Sequence, residues 1–223
     1  MCETLICCYG DYFELSSRSL NAISNTGNPL HVGLNACGSQ TKNLCRKLLD
    51  ENKIQTLIDS NININKDPMM RKLIDCVESE YFIWFDDDSY PTQENWGSML
   101  TEYIKKYHPF DVAGFPHVSN RLAFGKYQQF LTSRPWYKGR TYQNINQCIF
   151  PIGSIWVARK AFLKKYNYPD DQTIKNIDDM LLGDLIHQSN ARFLTLFGWD
   201  TIFKANQSER RGVHDNDDGF KTK

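Results

Sequence analysis

Residues 81–89 read YFIWFDDDS: five apolar and aromatic residues in a row, then Asp86, Asp87 and Asp88, then Ser89. A short unbroken apolar run suits a strand buried on both faces, as strands of helix-covered parallel sheets are. In an open parallel sheet, ligands bind beyond the carboxyl ends of the strands, which is where these three carboxylates stand. Concentrated negative charge there is costly unless a cation neutralises it. If the strand continues, Asp86 and Asp88 alternate to one side and share an ion while Asp87 points elsewhere. The other reading is a solvated acidic turn, which Asp-rich loops often are.

Outward from that strand, the first half of the chain alternates apolar runs with helical patterns. Residues 4–9 (TLICCY) read as a buried strand and residues 13–23 as an amphipathic helix. Residues 30–35 (LHVGLN) read as a second strand, closed by a turn at Cys37, Gly38 and Ser39. Thr41 is placed to cap the next helix, which runs through Leu44, Leu48 and Leu49. Residues 55–59 read as a third strand, followed by an Asn-rich loop. Asp67 before Pro68 supplies a cap and first-turn pair for a helix through Ile74 and Val77. Strand and helix alternate in this way as far as Phe85, which predicts an α/β fold with a mainly parallel sheet covered on both faces.

Beyond Asp88 the order loosens. Residues 96–107 look helical and 112–115 strand-like, while 119–147 are long and mixed, with Phe124, Tyr127, Phe130 and Tyr142 among Arg121 and Lys126. Residues 155–157 read as a strand, 161–166 as a helix, and 178–188 as a helix with apolar Met180, Leu181, Leu182, Leu185 and Ile186. The polar tail, 208–223, reads as a loop or partly disordered segment.

Neither an internal repeat nor a low-complexity linker marks a boundary, so residues 1–223 read as one domain. Lys plus Arg equals Asp plus Glu at 26 each. The whole-protein field therefore attracts no polyanion, and a nucleic-acid partner would need a local basic patch. The seven cysteines include no CxxC pair, and Cys7, Cys8, Cys76 and Cys148 lie among core-like residues. Buried reduced thiols in a cytosolic protein are expected. Glu3 precedes only a very short apolar stretch, which reads as no signal peptide. No run approaches the ~18 apolar residues that span a bilayer. The expectation is a soluble cytoplasmic protein with no membrane partner.

Three further groups carry candidate chemistry. Asp178 and Asp179 open the helix of residues 178–188, either as an N-terminal cap favoured by the helix dipole or as a general base. His214 follows Arg210 and Arg211 in a polar segment. It reads as an ordinary surface histidine or as a ligand to a Mn-like metal, with the arginines neutralising phosphate. Arg134, Pro135, Trp136, Tyr137, Lys138, Gly139 and Arg140 interleave rings with cations. Such a stretch stacks on a nucleobase and grips phosphate, or else packs a long loop onto the core with its cations outside.

Taken in order, TLICCYGDY, LHVGLNACGSQT, YFIWFDDDS, IGSIWVARKAF, IDDMLLGDL and a late histidine resemble the GT-A glycosyltransferases, particularly their family 2-like branch. The resemblance covers most of the chain. It implies a Rossmann-like, mostly parallel sheet flanked by helices, with a small antiparallel element. It also implies a nucleotide-sugar half at residues 1–90 and an acceptor half at 91–223 ending in a metal-binding tail. In such enzymes a DxD-type motif holds the metal and donor. That role maps onto Asp86 and Asp88, with Asp87 near the ribose and His214 completing the Mn2+ or Mg2+ site. The donor is expected to be a UDP-sugar, with Tyr9, Asn35, Lys66 and Arg71 as further contacts. Asn35 departs from the pattern, since many members carry an aspartate there to read uracil. Asp179, with Asp178 beside it, matches the base of inverting members.

Within that branch, WFDDDS, RPWYKGR, DDMLLGDLIHQ and KANQSERRGVHD resemble the phage TET-associated glycosyltransferases, which implies 5-hydroxymethylcytosine in DNA as acceptor and the host cytoplasm as setting. The target base would be flipped out to reach the sugar. Arg134, Trp136, Tyr137, Arg140, Arg210 and Arg211 are then expected to face the DNA. The alternatives are a family 2-like transferase acting on a polysaccharide or protein, and a non-catalytic nucleotide-sugar or DNA-binding module.

Overall fold

The computed structural model describes residues 2–119, 132–137, 148–170 and 178–205. Its centre is a seven-stranded sheet in the order β3-β2-β1-β4-β7-β6-β8. The strands are β1 (Glu3–Tyr9), β2 (Leu30–Asn35), β3 (Thr56–Ser60), β4 (Tyr81–Asp86), β6 (Val112–Ser119), β7 (Cys148–Arg159) and β8 (Phe193–Thr195). β3, β2, β1 and β4 are mutually parallel, as the alternation predicts. β7 runs antiparallel to both β4 and β6, and β8 returns parallel to β6. A second, two-stranded antiparallel sheet joins β5 (Ser89–Pro91) to β9 (Phe203–Ala205).

The helices α1 (Phe13–Ser24), α2 (Ser39–Asp50), α3 (Lys66–Cys76), α4 (Trp96–Tyr107), α5 (Lys160–Lys165) and α6 (Asp178–Ser189) cover both faces. Side chains alternate between two covered faces, which explains why residues 5–8 of β1 and 81–85 of β4 are apolar without a break. Leu5, Cys7, Phe82 and Trp84 join Met69, Met70 and Leu73 of α3 and Leu181, Leu182 and Leu185 of α6 on one face. Ile6, Cys8, Ile83 and Phe85 meet Leu20 and Ile23 of α1, Leu48 of α2 and Trp96 and Leu100 of α4 on the other. Close packing of α3 on β2 needs Gly33, since a methyl there would stand 2.7 Å from the Met69 side chain.

Two helix caps differ from expectation. α2 begins at Ser39 with Gly38 at its N-cap, and Thr41 lies wholly buried inside the helix. α3 begins at Lys66 after Asn65, so Asp67 falls within the first turn, where a carboxylate still meets the positive end of the helix dipole. Cys2, Cys7, Cys8, Cys37 and Cys45 are buried free thiols, whereas Cys76 is only half-buried. Among the described residues no helix is long and apolar enough to cross a membrane.

Candidate functional site

The carboxyl ends of β1, β2 and β4 meet in a network of polar side chains. Gly10 N–H donates to the Asn35 carbonyl (3.2 Å) and Ala36 N–H to the Ser60 carbonyl (2.9 Å), so neighbouring strand ends are tied together. The β1–α1 turn rests on the start of α2, where a methyl at Gly38 would collide with the Asp11 carboxylate.

The three aspartates have three environments. Asp86 is paired with Lys66 of α3, Nζ to Oδ1 2.8 Å, and accepts the Trp84 indole N–H at 3.0 Å. Asp87 is 1% exposed; its carboxylate accepts Tyr9 N–H at 3.0 Å and the Ser16 hydroxyl at 3.3 Å, and its carbonyl accepts the Ser19 hydroxyl at 2.9 Å. It therefore splices the end of β4 to β1 and α1. Asp88 is also buried. Burial first, and then the charge of Asp86, push its carboxyl up to about 6, against the lowering effects of Ser89 and Lys66. Of the two raising causes, the charge of Asp86 is the one that a cation would offset.

Asn35 supports a loop instead of facing open space. It is 2% exposed, its side-chain oxygen accepts Ile64 N–H (2.9 Å), and its amide donates to Asn63 (3.3 Å). Asn63 in turn donates to the Tyr9 hydroxyl at 3.2 Å. The Asn-rich loop is thus fastened over the strand ends, with Tyr9 and Lys66 beside it. Arg71 lies further along α3 and donates to the Pro169 carbonyl at 2.9 Å, which ties α3 to the chain before α6.

Asp179 approaches from the opposite side. β7 pairs Ile155 with Phe85, so Ser154 and Gly153 run on past the end of β4 alongside the aspartates. A methyl built on Gly153 would stand 3.3 Å from the Asp179 Cβ, so the carboxylate is seated on that stretch of β7. It also accepts Met180 N–H at 2.8 Å, as a residue in a helix's first turn does. Gly153 was not singled out in the sequence, although an isolated glycine within a strand marks such close approaches. Asn63, Ser16 and Trp84 were missed for want of any local pattern.

The aromatic, basic stretch is the largest correction. Arg134 is 2% exposed and pairs with Asp170 at 2.7 Å. Trp136 and Tyr137 are buried and donate to Asp184 of α6, at 2.8 Å and 2.6 Å. Trp136 and Tyr137 join the core, as the packing alternative has it, but Arg134 is buried too, where that alternative left the cations outside. Arg140, Arg210, Arg211 and His214 lie outside the described residues, and Asp178 is the first residue of α6. Among the described residues no group of three or more His, Cys, Asp or Glu is arranged to hold a metal.

Together these features define an α/β protein with a cluster of aspartates at the carboxyl edge of its sheet. Residues 16–167 match the model of Glycosyl transferase family 2, and the chain belongs to that family. No curated protein is a significant sequence match. Among solved structures, Staphylococcus aureus TarS 1-349 is similar at 17% identity and a TM-score of 0.61, covering 92% of this chain and 60% of that one. The TarS 1-349 complex with UDP-GlcNAc has the same identity and TM-score, with 92% and 58% coverage. The mannosyltransferase PcManGT of Pyrobaculum calidifontis, in complex with GDP-Man and Mn2+, gives 12% identity, a TM-score of 0.63 and coverage of 96% and 58%. Identities this low speak to the fold alone, and the fold is GT-A. The chain spans 60% of the length of the first of these structures.

Proposed function

We propose that the protein is a metal-dependent glycosyltransferase that moves a sugar from a UDP-sugar to a hydroxyl acceptor, with inversion. The observation that carries this reading is the packing of Asp179 of α6 against Gly153 of β7, on the stretch just beyond the residue that pairs with Phe85, which Asp86 and Asp88 follow at the end of β4. In relatives with this fold the bound molecules are UDP-GlcNAc and, with Mn2+, GDP-Man.

The donor set fits the metal. Two neighbouring carboxylates, one pushed up by burial and by the other's charge, are hard oxygen ligands suited to Mn2+ or Mg2+. Asp86, Asp88 and His214 would hold it, and the bound ion supplies positive charge to the leaving diphosphate. Support for His214 comes from β9: Ala205 pairs with Ser89, so the tail departs beside Asp88. The stretch from Ala205 to His214 reaches at most roughly 30 Å when extended, ample to fold back onto that site. Lys66 leaves Asp86 to meet the diphosphate, and Tyr9 with the Asn63 loop bounds the nucleoside. Asp179 takes the proton of the acceptor hydroxyl as its oxygen bonds to the anomeric carbon and the bond to the diphosphate breaks. Residues 1–90 thus serve the donor and 91–223 the acceptor. The buried free thiols support a reducing, cytoplasmic setting.

The acceptor proposed is the hydroxymethyl group of 5-hydroxymethylcytosine in DNA, and it stands on sequence resemblance. Burial of Arg134, Trp136 and Tyr137 removes three of its six expected contacts and favours the second reading, a saccharide or protein acceptor. The test is incubation with Mn2+, a panel of nucleotide-sugars and DNA containing 5-hydroxymethylcytosine, followed by mass analysis of the nucleosides. A hexose-sized or N-acetylhexosamine-sized gain supports the DNA reading. Transfer to a glycan with no gain on DNA overturns it, and no transfer to any acceptor leaves a binding module.

A further inference from the structure

Asp184 and the turn 134–137 do more than fill the core. The turn is closed by Tyr137 N–H donating to the Arg134 carbonyl at 3.0 Å, and it holds a 3-10 helix at Pro135–Tyr137. One end of the turn, Arg134, grips Asp170 through a pair whose side chains are 1% and 10% exposed. The other end, Trp136 and Tyr137, gives two hydrogen bonds to the Asp184 carboxylate, buried in the middle of α6. Arg71 holds the adjacent Pro169 carbonyl from α3, and Trp136 lies against Tyr168, ring centroids 6.2 Å apart.

The turn therefore joins two points on either side of residues 171–177: Asp170, where the chain leaves the α5 region, and α6, which begins at Asp178. Asp179 occupies the first turn of that same helix. Its place beside Gly153 depends on how far α6 sits along its own axis, and Asp184 is the residue by which the turn fixes that setting. Charge-assisted bonds from two aromatic donors are directional, unlike the apolar contacts of Leu181, Leu182 and Leu185, which tolerate sliding.

We infer that Asp184, with Trp136 and Tyr137, is a positioning group that sets Asp179 against the carboxyl edge of the sheet, an inference that rests on Asp179 acting as the base. The bonds that hold the donor half, Asp87 to Tyr9 and Ser16 and Lys66 to Asp86, do not involve Asp184, Trp136 or Tyr137. Loosening the brace therefore lowers the rate of transfer and leaves donor binding untouched, a split that general destabilisation would not produce.

The test uses the full chain with Asp184→Asn and the milder Tyr137→Phe, and Asp179→Asn alongside. A misplacement of about 1 Å lowers kcat about 100-fold in Asp184→Asn and less in Tyr137→Phe, with donor KM and UDP affinity by calorimetry within about twofold of wild type. Hydrogen exchange without substrate reads the brace directly: amides of residues 178–183 exchange faster in both variants, while those of β1 and β4 do not change. Unchanged exchange in α6, or a donor KM that rises in step with the loss of kcat, overturns the inference. Full transfer by Asp179→Asn would remove the base reading instead, and the exchange result still decides whether the brace holds α6.

Discussion

The two sides of the candidate site are held in different ways. The edge proposed for the donor is a lattice of short polar side chains: Asp87 on Tyr9 N–H, Asn35 on Ile64 N–H and Asn63 on the Tyr9 hydroxyl. The acceptor side is a buried aromatic cluster pinned by charges, with Arg134 on Asp170 and Trp136 and Tyr137 on Asp184. Cutting one bond of such a lattice leaves a single uncharged group unsatisfied, a cost of about 1–3 kcal/mol. A buried ion pair loses much, because the surviving charge is stranded in the interior. Donor binding is thus expected to degrade gradually under mutation, and the acceptor side to fail abruptly.

The sharpest division between chemistry and scaffolding comes from Asp179→Asn. As the base it contributes about 10²- to 10⁴-fold, so kcat for transfer falls by that factor while thermal stability and UDP affinity hold. Unchanged turnover would make Asp179 no more than the helix cap its bond to Met180 describes.

Next in size is Arg134→Met, which takes the buried guanidinium away from the Asp170 carboxylate. Unfolding free energy measured by urea titration is expected to drop by about 3–5 kcal/mol. A loss below about 1 kcal/mol would place the pair at the surface and return Arg134 to the acceptor-facing role expected from sequence.

On the donor edge, Asp87→Ala leaves Tyr9 N–H without its carboxylate, a loss of about 1–3 kcal/mol. The expected signature is lower stability with a modest rise in donor KM. Abolished donor binding at unchanged stability would mean that Asp87 touches the ligand, contrary to its 1% exposure.

The smallest effects are in pH dependence, and they have opposite signs. Burial raises the Glu3 carboxyl, but N–H donation from Ser79, the bond to His31 and N–H donation from Glu78 outweigh it, so the net shift is downward. A depressed folded value means stability that is present above the ordinary value near 4.5 and lost as pH falls through the folded one. Burial raises Asp184 in spite of its donors Tyr137 and Trp136. Its contribution is complete below the ordinary carboxylate range and is lost as pH rises through the folded value. Comparing Glu3→Gln and Asp184→Asn with wild type across pH 3–7, by thermal unfolding, is expected to show slopes of opposite sign.

What could be read from the sequence follows the same division. Residues 5–8 of β1 and 81–85 of β4 are unbroken apolar runs, for which burial on both faces is the physical reason, so these strands and the mainly parallel sheet were legible. β7 was visible only at residues 155–157, because Pro151, Gly153 and Ser154 interrupt its apolar pattern within a strand that spans Cys148–Arg159. The three-residue strands β5, β8 and β9 are too short to show any period. In the site, the acidic triplet announced itself by its place after β4. The separate task of Asp87 did not, because its partner Tyr9 is 78 residues away in sequence. Nor did the burial of Arg134, since rings interleaved with cations look alike whether they grip a ligand or an aspartate 36 residues on.

The central claim is that the carboxyl edge of the sheet binds a nucleotide-sugar through Asp86, Asp88 and a divalent cation. Calorimetric titration of the full chain with UDP-sugars and with GDP-mannose, each with Mn2+ and with chelator, tests it most directly when repeated on Asp88→Ala. The account predicts binding of a UDP-sugar that needs Mn2+ and disappears in the variant. Equal affinity with chelator present, or an Asp88→Ala protein that binds as wild type does, would contradict it.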